Sequence, residues 1–131
     1  MNIHSVEIKD ESDILTSRRM VRNESAKIGF GIVDQTKLAT ATSELSRNIY
    51  RYAGEGTVYI EEIKKPRGIK VIFDDEGPGI KDPELAMQEG YTTTQGSLGM
   101  GLSGSKRLVD DMIIESEPGK GTKIEIFKYL P

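Results

Sequence analysis

The chain has no cysteine, and His4 is its only histidine. Without thiols there is no disulfide, no thiolate metal site and no cysteine nucleophile, a composition suited to a reducing compartment. One histidine excludes Ser-His and Cys-His nucleophile arrangements and any multi-histidine zinc site. No segment approaches the roughly 18 apolar residues that span a bilayer, and the N-terminus lacks the basic and then apolar run of a signal peptide. The expectation is a cytoplasmic protein with no membrane partner. A basic stripe is missing as well: 18 Lys and Arg stand against 21 Asp and Glu, both signs interleaved, for a formal charge of -3. That pattern excludes a phosphate-backbone surface, so no nucleic-acid partner is expected.

What is present fills one domain, since 131 residues bury a core without staples but leave no room for a second. Residues 3–9 alternate like a strand, and Asp10 or Ser12 opens a helix to Ile28 that Gly29 and Gly31 break. A second helix spans Asp34 to Ala53, with Leu38, Ala41, Leu45, Ile49 and Tyr52 on one face, and ends at Gly54. TVYIEEIKK and IKVIFD then read as strands joined by a hairpin at Pro66-Arg67-Gly68. A short helix is expected over 83–89, and a polar loop with five glycines over 90–104. From Leu102 a helix runs through SKRLVDD into a strand at MIIESE, a PGKG turn and a last strand, TKIEIFKYL. Helices and strands segregated in this order predict an α+β fold, a two-layer sandwich of a mixed sheet with helices on one face.

Three stretches carry chemistry. In DDEGPGI, which follows the second hairpin strand, alternation puts Ile69, Val71, Phe73 and Asp75 on one face. Asp75 then points between sheet and helices, where a carboxylate must find donors; the amino group of an adenine would be one. Gly77 and Gly79 allow close backbone approach to a flat ligand. Taken alone, the acids also fit a solvated turn. In SELSRNIYRY, Glu44 and Asn48 stack one turn apart at the margin of the apolar stripe, with Ser43, Arg47 and Arg51 further toward solvent. An amide oxygen suits magnesium, and a glutamate one turn away suits proton acceptance from a hydroxyl; the same spacing also fits an ordinary amphipathic helix. In QGSLGMGLSG, a glycine-rich turn opening a helix makes an anion cradle. Walker A fails for want of Gly-Lys-Ser/Thr. The dinucleotide pattern Gly99, Gly101, Gly104 lacks the preceding strand.

The ordered set of ExxxN on a helix, DxGxG after a strand, GxxGxGL opening a helix and Gly121-Thr122 on a last strand resembles the GHKL, or Bergerat-fold, ATP-binding domain. Over residues 5–130 the chain is similar to the stressosome switch-protein serine/threonine kinases, relatives of the anti-sigma factor serine kinases. The resemblance implies a single ATP-binding kinase domain over 1–131 with an ATP lid at 83–98. It implies Glu44 as general base and Asn48 as magnesium ligand. Asp75 would bind the adenine amino group, Gly77, Gly79 and Ile80 would wrap the base, and Thr122 would lie at the same edge. Gly96, Leu98, Gly99, Met100, Gly101 and Leu102 would form the phosphate-side loop. Implied cofactors are ATP and Mg2+. Implied partners are STAS-domain stressosome scaffold and antagonist-type proteins and a downstream PP2C-type phosphatase or other signalling enzyme.

One departure stands out: no residue from Gly90 to Leu98 is cationic, where relatives carry an arginine. Lys106, Arg107 or the partner would have to supply that charge. The expected function is a Mg-ATP-dependent serine/threonine kinase in a partner-switching pathway. The alternative is a nucleotide-dependent anti-sigma or regulatory binding protein.

Overall fold

Asp13 closes the first turn of the structure. In the computed structural model, which describes residues 3–78 and 100–131 (Met100 and Gly101 by backbone alone), strand β1 spans Ile3–Ile8 and helix α1 Glu11–Ile28. Between them the Asp13 carboxylate accepts the N–H groups of Lys9 and Asp10, each at 2.9 Å. Those two bonds to the charged form hold the Asp13 carboxyl below its ordinary pKa. Gly29, at φ 121°, terminates α1 as its sequence position requires.

Helix α2 spans Ile32–Asn48 and starts two residues before the expected Asp34, because extended Gly31 serves as its N-cap and leaves Asp34 in the first turn. Its far end also differs. Ile49–Ala53 form a π-helical turn rather than more α-helix, closed by the Gly54 N–H on the Ile49 carbonyl at 2.9 Å. The buried face matches the sequence pattern at Leu38, Ala41, Leu45 and Ile49, whereas Tyr52, inside the π turn, is only half-buried.

Strands β2 (Gly56–Lys64) and β3 (Arg67–Asp75) follow, then helix α3 (Met100–Arg107) and strands β4 (Asp111–Glu117) and β5 (Gly121–Tyr129). The β2–β3 turn is Lys65-Pro66, one residue earlier than expected, since Lys64 already pairs with Arg67. Helix α3 stops at Arg107 instead of continuing to Asp111. Leu108 and Val109 turn onto the core, and Asp110 joins the sheet: its N–H donates to the Phe127 carbonyl at 2.9 Å, and its carboxylate accepts the Tyr129 N–H at 2.7 Å. The short helix expected over 83–89 and the lid over 83–98 lie outside the described residues.

The sheet order is β1-β2-β3-β5-β4 and, among the described residues, every pairing is antiparallel, which corrects the expectation of a mixed sheet. The reason is topological. Two helices between β1 and β2, one running away and one back, return the chain to the end where β1 finished, so Gly56 lies beside Ile8 and β2 runs back. β4 runs in the same direction as β3, yet β5 inserts between them, so these two strands are not neighbours. The α+β two-layer arrangement itself stands. Val58, Ile60, Ile69, Val71, Phe73 and Ile126, from the inward sheet positions, pack with Val21, Leu38, Leu45, Ile49 and Leu102 from the helices. Each such side chain contributes about 2 kcal/mol on burial. On the open face Lys70 lies 3.6 Å from Glu61 and 3.9 Å from Glu125, partly solvated pairs of small individual worth.

Gly121 joins the β4–β5 turn to the end of β3. Its φ is +115°, and a Cβ there would collide with the Asp75 carbonyl oxygen and approach Glu76 Cα to 2.8 Å. Backbone cannot retreat as a side chain can. Gly121→Ala is therefore expected to cost about 3 kcal/mol, read as a lowered midpoint in urea unfolding; an unchanged midpoint would show that the β5 start relaxes freely.

Candidate functional site

Asp75 is the last residue of β3, and the period-two register carries it onto the inward face behind Phe73. There its carboxylate accepts the Gly77 N–H at 2.9 Å and the backbone N–H of Thr122, its register partner on β5. Burial raises the Asp75 pKa from its ordinary value, the two backbone bonds oppose the shift, and the neighbouring Asp74 adds to it. A carboxylate kept partly out of water, with two fixed donors and room on its remaining lone pairs, is a hydrogen-bond acceptor in wait of a donor.

That donor would come from a cleft between sheet and α2. The cleft is narrow, with a cavity volume of about 30 Å³, and its walls are mostly apolar: Leu45, Ile49, Ala53, Phe73, Leu102 and Ile124, with Tyr52 and Pro78 beside them. Asn48, Asp75 and Thr122 are the polar groups that converge on it. An apolar slot with a few placed polar groups has the makeup of a small-molecule site. The π turn shapes this wall, since the extra residue per turn after Asn48 re-aims Tyr52 and Ala53 along the cleft.

Gly77 proves to have a packing reason. A Cβ on it would lie 2.5 Å from Ala53 Cβ and 2.8 Å from Ala53 Cα, so the Asp75–Pro78 bend crosses the π turn in backbone contact. On the opposite wall Ser116 and Thr122 are register partners on β4 and β5. Their hydroxyls lie 2.9 Å apart, and the Ser116 hydroxyl also donates to the Gly121 carbonyl at 3.0 Å.

Of the residues singled out in the sequence, Asn48, Asp75, Leu102 and Thr122 thus share one cleft, with Gly77 beside it. Glu44 does not join them. It opens on a groove between α1 and α2, lined with Arg18, Ser43 and Arg47, and its carboxylate takes the Arg47 guanidinium at 3.1 Å. Ser43, expected toward solvent, is buried because α1 packs over it, and Arg18 donates to its hydroxyl at 3.2 Å. Met100 and Gly101 form the first turn of α3, while Gly79, Ile80, Gly96, Leu98 and Gly99 lie outside the described residues. Lys106 and Arg107 occupy the last turn of α3, about 10 Å along its axis from the first, so neither is at the glycine-rich end.

Sequence reasoning missed the π turn, whose residues carry no signal distinct from ordinary helix. It also missed Ser116, which counting outward from the PGKG turn would have found, because Glu117 and Gly121 flank that turn and the next pair out is Ser116 with Thr122. Among the described residues no cluster of carboxylates and histidine could hold a metal by itself. The hard neutral ligand in the cleft is the Asn48 amide oxygen, a donor set that fits magnesium only as a companion of phosphate oxygens. No helix among the described residues is long and apolar enough to cross a membrane.

Residues 33–131 match the family described as histidine kinase-, DNA gyrase B- and HSP90-like ATPase. The chain is 46% identical over 127 residues to the serine/threonine-protein kinase RsbT of Bacillus subtilis, with 95% of each chain covered. It is 33% identical over 119 residues to the anti-sigma F factor of Caldanaerobacter subterraneus, covering 87% of this chain and 83% of that one. It is also 37% identical over 100 residues to the anti-sigma F factor of Clostridium kluyveri, covering 72% and 70%. With the family match running through every element that builds the cleft, from α2 to β5, the chain belongs to the histidine kinase-, DNA gyrase B- and HSP90-like ATPase family.

Proposed function

We propose that the protein is a magnesium-ATP-dependent protein serine/threonine kinase acting in a partner-switching pathway. The observation that carries this reading is the convergence of Asn48, Asp75 and Thr122 on one apolar cleft from three separate elements. The similarity to a serine/threonine-protein kinase over nearly the whole chain supports it. Asp75 receives the adenine amino group, the apolar walls take the base, and Gly79 and Ile80 continue the wrap. The stretch from Gly96 to Gly101, whose last two residues open α3, cradles phosphates at the helix N-terminus, with Leu102 buried behind it. Asn48 holds the magnesium ion that accompanies the nucleotide, and that ion supplies charge neutralisation on the phosphates.

Residues 1–131 act as one domain, and 83–98 as its lid. Glu44 takes the proton of the acceptor hydroxyl, which arrives along the α1–α2 groove. Its partners are STAS-domain scaffold and antagonist-type proteins; in the released state it binds a downstream PP2C-type phosphatase or related enzyme, in the cytoplasm. The separation of Glu44 from the cleft, and its pairing with Arg47, favour a second reading in which the protein is a nucleotide-dependent anti-sigma or regulatory binder.

Labelled ATP and a STAS-domain protein decide between the two. Transfer of label to serine or threonine, falling about 10³-fold in Glu44→Gln with ATP affinity kept, is the expected result. A stoichiometric complex that forms with ATP bound and transfers nothing would leave the regulator reading in possession.

A further inference from the structure

Hydroxyl groups have one proton each, and on the β4–β5 side of the cleft that count fixes a direction. The Gly121 carbonyl can only accept, so at 3.0 Å the Ser116 hydroxyl spends its proton there. In the 2.9 Å contact between Ser116 and Thr122 the donor must then be Thr122. Thr122 faces inward between β4 and β3, 9% exposed, and lines the cleft beside Asp75. With its proton turned toward Ser116, the Thr122 oxygen offers lone pairs to whatever enters. The Asp75 carboxylate does the same, its fixed donors being the Gly77 and Thr122 N–H groups on the protein side.

We propose that Ser116 is a positioning residue for base selectivity: by drawing off the Thr122 hydroxyl proton it makes the cleft present two acceptors, so that it takes 6-aminopurine nucleotides and rejects 6-oxopurines. An exocyclic amino group brings two N–H donors to such an edge. A ring carbonyl in its place sets lone pairs against lone pairs, and a site built to hydrogen-bond one group discriminates strongly against an analogue that leaves its acceptors unpaired. An unrestrained threonine hydroxyl would rotate to donate to the carbonyl and accept either base. Ser116 removes that freedom without touching the ligand.

The inference rests on the nucleotide-binding reading, and ATP against ITP is the probe pair, because hypoxanthine sets a 6-oxo acceptor where adenine has its amino donors, N1 changing with it from acceptor to N–H. Dissociation constants of both are measured by calorimetry for the whole chain and for Ser116→Ala and Ser116→Thr. The ITP/ATP ratio should be large in the unmodified protein, narrow about tenfold in Ser116→Ala and recover in Ser116→Thr. A merely structural role would weaken both nucleotides together and leave the ratio alone. If Ser116→Ala does not fold, Ser116→Cys replaces it, a thiol being too weak a donor and acceptor to hold the Thr122 proton, with the same narrowing expected. An unmodified protein that binds ATP and ITP equally, or a ratio unmoved in the variant, overturns the role of Ser116 and leaves the nucleotide reading intact. Binding of neither nucleotide by the unmodified protein overturns both.

Discussion

Asp75→Asn is expected to weaken ATP binding about 10³-fold while the protein stays folded. The asparagine oxygen is expected to take over the Gly77 and Thr122 N–H groups that the carboxylate holds. Its amide NH2 is then left facing the cleft. On the proposed reading, the adenine amino group then meets a donor where it would have had an acceptor, and both lose their bonds between mostly apolar walls. Calorimetric titration with Mg-ATP checks this, and saturable binding within about tenfold of the unmodified protein would remove Asp75 from the base site.

The same substitution should not destabilise the empty protein at neutral pH. Burial raises the Asp75 pKa in the folded chain, so the folded state binds that proton more tightly than the unfolded one. Its contribution to stability is complete below the unfolded carboxyl pKa of about 4 and is lost as pH rises through the folded value. Above that, the ionised group is held at a cost that an amide does not incur. Thermal melts should therefore place Asp75→Asn at or above the unmodified protein at pH 7, with the gap closing as pH falls toward 4. Function and stability pull against each other at this residue, as they do where a site keeps a poorly solvated charge for its ligand.

Period-two alternation in IKVIFDD was enough to aim Asp75 inward, because a strand has only two faces and Phe73 had to be buried. The i, i+4 stack of Glu44 and Asn48 was equally legible on α2, yet their separate destinations were not. Which groove each faces depends on how α1 leans across α2, and that is set by contacts such as Ser17 with Ser46, 2.8 Å apart, and Arg18 with Ser43, which have no local signature. The sheet's pairing was misjudged for a related reason. Strand order is a property of connections, and nothing in the residues of β5 announces that it inserts between β3 and β4. The π turn escaped because IYRYA satisfies a helical pattern as well as a π one; the wider i to i+5 closure ends at Gly54, whose φ is 86°.

Asn48→Ala is expected to abolish phosphotransfer, by about 10³-fold, with the fold unharmed. Asn48 is the last α-helical residue before the π turn and lines the cleft between Leu45 and Ile49, both nearly fully buried, so the wall that carries its amide is fixed. Alanine is the better helix former there, and among the described residues no side-chain partner loses a hydrogen bond to the change, so the melting temperature should hold. The loss falls instead on the ion. On the proposed reading, a magnesium ion that loses the amide oxygen would be held by phosphates and water. ATP affinity measured without magnesium should then be nearly the same in Asn48→Ala and the unmodified protein, while the strengthening that magnesium brings should disappear from the variant. Titrations with and without magnesium separate the two contributions. A variant whose ATP affinity still responds to magnesium in full would place the ion elsewhere in the site and leave Asn48 as an ordinary shoulder residue of α2.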